Sequence, residues 1–222
     1  MKKTVNISNI ADYKDDCGFW VRSKTVTKEG QHYTATTRAG VLWGNVSKRC
    51  LENGSNKRDH PTYKDCKNCF LDFQEFAGWC QLQKGYMEKE ENGKYWSLDK
   101  DIIESNNKAY SPDTCVFVPH TINVLFSKLT ALNPELPIGV HFDNRTGLYR
   151  ASCNNGQGKG VKLGRFTNIM AAHRAWQLAK IKVVSEILNE FEERLADSVV
   201  STINELIVRL SNDYENQIES RF

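Results

Sequence analysis

The chain has 222 residues, 40% of them hydrophobic and 26% charged, with a net charge of +3 at pH 7 and a mean hydropathy of −0.56. That composition suits one large or two small folded domains, and no run approaches the ~18 to 20 apolar residues of a membrane span. Met1-Lys2-Lys3 is not followed by an apolar signal core, so a soluble, cytoplasmic protein is expected. Seven cysteines, an odd number, lie beside helical or strand patterns, which favours reduced thiols over a disulfide scaffold.

Residues 1–37 alternate weakly and form an N-terminal β extension. Its expected strands are Phe19-Trp20-Val21 and His32 to Thr36, with a turn at Lys28-Glu29-Gly30. From Gly40 to Leu51, the apolar residues Val41, Leu42, Val46 and Cys50 recur at helical spacing, and Asn53-Gly54 supplies a stop. The polar stretch Ser55 to Thr62 reads as a loop whose Lys57, Arg58 and His60 are solvated or meet phosphate. Leu71 to Gln83 carries Phe73, Phe76, Ala77, Trp79 and Cys80 and predicts a helix against a core.

Cys66 and Cys69 have the spacing of half a tetrahedral zinc site, which Cys50 and Cys80, or Cys115, would complete. No second CxxC exists, and a free cysteine commonly serves as a small buried hydrophobe, so structural zinc is the less favoured reading.

After a charged turn at Glu88 to Gly93, Tyr95 to Asp101 reads as a strand ending in the acidic residues Asp99 and Asp101 around Lys100. An irregular loop, a short second strand and a helix opened by Pro119 follow. An aspartate at a strand end and an asparagine, Asn123, on the following helix offer the hard oxygen ligands that Mg²⁺ or Mn²⁺ takes, with positions left for water and a phosphate oxygen. Leu125, Leu129 and Leu132 continue the helix, and the segment Asn133-Pro134-Glu135-Leu136-Pro137 ends it as a domain boundary.

Three strands follow, Gly139 to Phe142, Leu148 to Cys153 and Gly160 to Phe166, then a helix from Asn168 to Val184 with Ala171, Ala172, Ala175, Trp176 and Ala179 in register. From Ile138 to Ser185 there are eight Lys/Arg against Asp143 alone, a charge of +7, whereas Glu186 to Phe222 holds nine acids and three arginines, −6. A basic module between a near-neutral part and an acidic tail suits a polyanion such as double-stranded DNA. Arg150 and Ser152 alternate on one strand face, and Arg145, Lys162 and Arg165, with Lys159 on the backbone, complete the candidate contacts. The sheet offers no evident aromatic row for stacking RNA bases.

From Glu186 to Phe222, Leu188, Phe191, Leu195, Val199, Ile203, Leu206, Leu210, Tyr214 and Ile218 keep helical steps, predicting one long amphipathic helix. Its stripe is covered by the preceding domain or by a second copy in a homodimer.

The fragments Trp43 to Cys50, Tyr63 to Cys66, Phe73 to Cys80, Leu98 to Ile102 and Tyr110 to Cys115 resemble the HNH-type homing endonucleases of bacteriophages, over residues 38–130. The resemblance implies a ββα-metal nuclease domain over 38–132, Asp99 as metal ligand on the first strand and Asn123 completing the site from the helix. Lys100 stands where the family has its histidine base and Thr114 where a loop asparagine is usual. His120, three residues before Asn123, is the substitute base, and Asp101 is a spare carboxylate.

Gly139 to Phe142, Tyr149 to Ala151, Leu163 to Phe166 and Ala171 to Trp176 resemble the apetala/ethylene-response-factor DNA-binding domain, over 138–182. That implies a three-stranded sheet entering the major groove. The expected architecture is therefore α+β: residues 1–37, a nuclease unit over 38–132, a DNA-binding sheet and helix over 138–185, and a helix over 186–222. The expected activity is metal-dependent hydrolysis of DNA at a recognised site. The alternative is a catalytically degenerate DNA-binding regulator or inhibitor on the same fold.

Overall fold

A computed structural model describes residues 6–51, 63–127, 135–156 and 160–222. The fold is α+β, with two compact units formed by Met1–Tyr86 with Leu98–Val116 and by Met87–Ser97 with Phe117–Phe222.

The first unit begins with strands β1 (Asn6–Ile10), β2 (Ser23–Lys28) and β3 (Gln31–Thr37), in the order β1-β3-β2 with β1 parallel to β3. The expected turn closes the β2–β3 hairpin through Glu29 and Gly30, both at positive φ (52° and 73°), as a two-residue primed turn requires. The strand expected at 19–21 is reduced to a single bridge between Trp20 and Lys14.

Helix α1 (Arg38–Cys50) starts directly after β3 because the Thr37 hydroxyl accepts the Gly40 amide and caps it. A Cβ on Gly40 would lie 2.3 Å from the Arg22 carbonyl oxygen, so the backbones touch there. Strand β4 (Lys67–Asn68) follows, then helix α2 (Phe73–Leu82), capped by Asp72 on the Glu75 amide. Trp43 of α1 packs on Phe73 and Phe76, and Phe70 stands edge-on to Phe76 and Trp79. Asp12 ties the N-terminal segment to these helices by accepting from the Ala39 amide, the Gln81 side chain and the Tyr86 hydroxyl.

Strands β5 (Ser97–Asp99), β6 (Ala109–Tyr110) and β7 (Val116–Val118) are short; β6 pairs parallel with β4, and β5 pairs with β7. Helix α3 (His120–Ser127) begins where Pro119 predicts. Its expected continuation to Leu129 and Leu132, the boundary residues Asn133 and Pro134, the loop of Lys57, Arg58 and His60, and the stop at Asn53-Gly54 lie outside the described residues.

In the second unit, β8 (Val140–Asp143), β9 (Leu148–Asn154) and β10 (Gly160–Phe166) form an antiparallel sheet with β9 in the centre. Helix α4 (Ile169–Phe191), capped by Asn168, lies on one face. Val140 and Ala151 of the sheet meet Ala172 of the helix in a shared core, where the small side chains allow close approach. At Gly139 an added Cβ would fall 2.0 Å from the Trp176 ring, so the indole occupies the space of the missing side chain.

The tail departs from the single helix expected over 186–222. Helix α4 runs on to Phe191, a 3-10 turn occupies Glu192–Arg194, and a separate helix α5 (Asp197–Glu215) follows. Tyr214, Ile218 and Ser220, at and beyond the end of α5, meet Arg174 and Gln177 near the start of α4, so the two helices form a hairpin. Val199, Ile203, Leu206 and Leu210 are thereby buried within the chain, one of the two alternatives the periodicity left open. Each fully buried aliphatic side chain of this kind contributes roughly 1.5–3 kcal/mol. Leu195 is fully buried at the corner, where Arg194 pairs with Glu88 at 3.3 Å and lies over Trp96.

Candidate functional site

The register of the β8–β9–β10 sheet decides which side chains share its open face. His141 pairs with Arg150, and Arg150 pairs with Arg165, so the three form one row across the strands. Ser152 and Lys162 are partners in the next row, on the same face. Arg150, Lys162 and Arg165 are exposed, whereas Ala151 and Cys153 between them are buried towards α4.

Lys162 and Arg165 are three residues apart, and in a regular strand they would point to opposite faces. A bulge between Lys162 and Gly164 removes that conflict: Leu163 and Gly164 together oppose Ala151, and the alternation restarts one residue later. Gly164 takes φ +136°, a conformation side chains rarely adopt. The bulge thus presents Lys162 and Arg165 together.

Arg150 is partly neutralised by Asp143 at 3.8 Å, a carboxylate that stands on the same face. Arg145 is exposed in the β8–β9 turn, where its amide donates to the Asp143 carboxylate. Lys159 lies outside the described residues. Three of the eight basic residues counted in this module, Arg174, Lys180 and Lys182, lie on α4 and do not belong to the face. Lys180 is buried, and Arg174 donates to the Tyr214 carbonyl while its guanidinium stacks on the Tyr214 ring. His141 was not singled out from sequence; the four-residue connection between β8 and β9, which sets it opposite Arg150, is the signal that would have found it.

An aromatic row does cross the sheet, Phe142, Tyr149 and Phe166, but Tyr149 and Phe166 pack on the core with α4. They are not on the face of the arginines.

The acidic strand end in the first unit is organised by backbone. Asp99 Oδ1 accepts the amides of Asp101 at 2.7 Å and Ile102 at 3.1 Å, which fixes the chain reversal after β5. Among the described residues Oδ2 has no hydrogen-bond partner. Burial pushes the Asp99 carboxyl above the usual carboxylate range, and the two amides act against that rise.

Lys100 is buried, with Nζ donating to Asp101 and to the Asn107 carbonyl at 2.5 Å each. Asn107, a residue the sequence reading passed over, returns its side-chain amide to the carbonyls of Lys100 and Ala109 and accepts the Ala109 amide. Thr114 Oγ1 donates to the Ala109 carbonyl and pairs with the Ser111 hydroxyl. Lys100, Asn107 and Thr114 therefore lace one loop, and Lys100 is held as a donor. In the second unit His120 is exposed at the start of α3, its amide donating to Glu90, and Asn123 is half-buried one turn on.

The cysteines weighed for zinc differ in setting: Cys66, Cys80 and Cys115 are buried, Cys50 is half-buried and Cys69 is exposed. Burial pushes the Cys80 thiol far up and that of Cys115 up to about 12. Among the described residues no three His, Cys, Asp or Glu side chains are grouped to hold a metal. A single carboxylate with one open oxygen, as at Asp99, is the kind of donor Mg²⁺ takes alongside amide and water oxygens.

No protein family, no curated protein and no solved structure matches this chain. No helix among the described residues is long and apolar enough to cross a membrane.

Proposed function

We propose that this protein binds double-stranded DNA through the open face of β8, β9 and β10. The observation that carries the reading is the placement of Arg150 directly opposite Arg165. Like charges so paired destabilise a sheet, and nothing in the packing of the fold calls for them. A polyanion converts the cost into binding, because each phosphate neutralised releases condensed counterions. Strands lie about 4.8 Å apart, so β9 and β10 make a two-stranded ribbon of the width that the ~12 Å major groove admits. Arginine then reads guanine edges through paired donors, and Lys162 meets phosphate. Single-stranded RNA is disfavoured because the aromatic row packs on α4.

The test is affinity for a duplex measured against salt, with wild type and an Arg150→Ala/Lys162→Ala variant. A shallower slope of log affinity against log salt in the variant supports the interface; an unchanged slope removes it.

A second reading makes the bound DNA a substrate. It is favoured by the open oxygen of Asp99 together with the likeness of this stretch to HNH endonucleases. Here Asp99 of the first unit is a ligand for Mg²⁺ or Mn²⁺. Bound there, the cation supplies Lewis-acid stabilisation of the charge on the phosphorus oxygens and the leaving 3′ oxygen. The parts that the first unit itself supplies are Asp99 as the fixed donor, Lys100 and Asn107 as the ties that hold its loop, and Asp101 as the base taking a proton from water. Incubating plasmid DNA with the protein and Mg²⁺ or Mn²⁺ decides it: cleavage lost in Asp99→Ala supports the nuclease. Duplex binding without any cleavage leaves a DNA-binding regulator.

A further inference from the structure

Asp143 is the one acid between Ile138 and Ser185, and it stands on the face that carries Arg150, Lys162 and Arg165. A face built only to hold phosphate gains nothing from a carboxylate, which repels the polyanion and offsets one cation. The fold nevertheless fixes it there. Oδ1 accepts the Arg145 amide at 3.2 Å, and the Asp143 main-chain carbonyl accepts the amides of Thr146 and Gly147, so the turn between β8 and β9 holds the side chain in place.

The other oxygen is turned to a single partner. Oδ2 lies 3.8 Å from Nε of Arg150, diagonally across the β8–β9 pair, since the residue directly opposite Arg150 is His141. The Asp143 side chain is 13% exposed and that of Arg150 53%, so the acid sits low in the face and the guanidinium stands in solvent. An exposed ion pair of this kind adds little to stability. What it sets is direction: a charge at the Nε edge turns the planar guanidinium so that Nη1 and Nη2, which have no hydrogen-bond partner among the described residues, form the free fork.

We infer that Asp143 is a positioning residue for base recognition, holding Arg150 at Nε and presenting its Nη1–Nη2 fork to the O6 and N7 acceptors of one guanine in the major groove. This role rests on the reading of the face as a duplex-binding surface and gives that surface a base to read. The carboxylate serves discrimination in two ways. It narrows the conformations of Arg150 before binding, which lowers the ordering cost of the guanine contact, and it weakens binding to any duplex in which that contact is not made.

Asp143→Asn separates this role from the turn, because an asparagine oxygen still accepts the Arg145 amide while the charge is gone. The full chain, in a chelator that prevents cleavage, selects duplexes from a randomised pool. The best-bound duplex is then titrated beside its single base-pair replacements with wild type, Asp143→Asn and Arg150→Lys. The expected result is one guanine whose replacement by adenine weakens wild-type binding, a preference that Arg150→Lys abolishes and Asp143→Asn lowers by roughly three- to tenfold. The affinity of Asp143→Asn for an unrelated duplex should stay level or rise, which a variant with a damaged turn would not show. Full retention of the guanine preference in Asp143→Asn, an equal loss of affinity for every duplex, or wild-type binding without base preference would each overturn the inference and leave duplex binding standing. Failure of the wild type to bind any duplex would overturn both.

Discussion

Arg150 of β9 and Arg165 of β10 stand directly opposite each other on the open face of the sheet, with His141 of β8 on the other side of Arg150. Such a pair trades fold stability for charge. Replacing Arg165 by Gln should therefore raise stability by roughly 0.2–1 kcal/mol while weakening duplex binding. Denaturant unfolding and a binding titration on one preparation check both signs, and a variant that loses both would refute the trade. The salt slope should become shallower by about 1 for each phosphate contact removed.

Gly164→Val should disrupt the same face from behind. Valine does not reach φ +136°, so the bulge must shift, at a cost of order 1–3 kcal/mol. Lys162 and Arg165 then cease to share a face. Duplex affinity should fall although no basic residue has been touched; retained affinity at a temperature where the variant is folded would show that the bulge is dispensable.

Lys100→Met should act on stability first. It strips the Asn107 carbonyl and Asp101 of a buried donor, and an unsatisfied buried acceptor costs about 1–3 kcal/mol. If the chain cleaves DNA, activity per folded molecule should fall far less in Lys100→Met than in Asp99→Ala. A complete loss in a stably folded Lys100→Met protein would instead give Lys100 a chemical role.

His173 predicts a pH dependence. It is fully buried, with Nδ1 donating to the Ile138 carbonyl and Nε2 accepting the Ser220 amide, so only the neutral ring satisfies both. Burial lowers its pKa below 6.5, with Glu219 and Asp213 pulling weakly the other way. The unfolded chain then binds its proton first as the pH falls. The stability His173 contributes is present above about 6.5 and is lost towards the lowered value. An NMR titration placing the folded His173 at or above 6.5 would contradict this.

Much of the second unit was legible in the sequence. The turns at Asn144 to Gly147 and at Asn154 to Gly156, with alternation between them, mark β8, β9 and β10 within a residue or so. Arg150 followed its strand parity, but the bulge at Gly164 left no trace in composition, because a shift of register comes from backbone and not from side-chain pattern. The helix break was hidden for a related reason. Phe191, Leu195 and Val199 keep four-residue steps through the 3-10 turn, and no glycine or proline marks it. What ends the helix is tertiary: the stripe of α5 is buried only if the chain turns back along α4. Lys100 was legible as a departure from a family pattern, and its tie to Asn107 was not, since the partner lies across a loop.

At the bulge, one structural position is divided between two residues. Gly164 supplies the backbone opposite Ala151 without a side chain, and Leu163, one place earlier, supplies the apolar mass that packs on the core. The division makes the strand editable. Removing Leu163 and placing leucine at 164 would give a strand of unbroken alternation, one residue shorter, that still shows Lys162 and Arg165 to the same side. The extra residue is therefore a property of this strand's spelling, and the chemistry of its face survives a second spelling that the present one does not resemble.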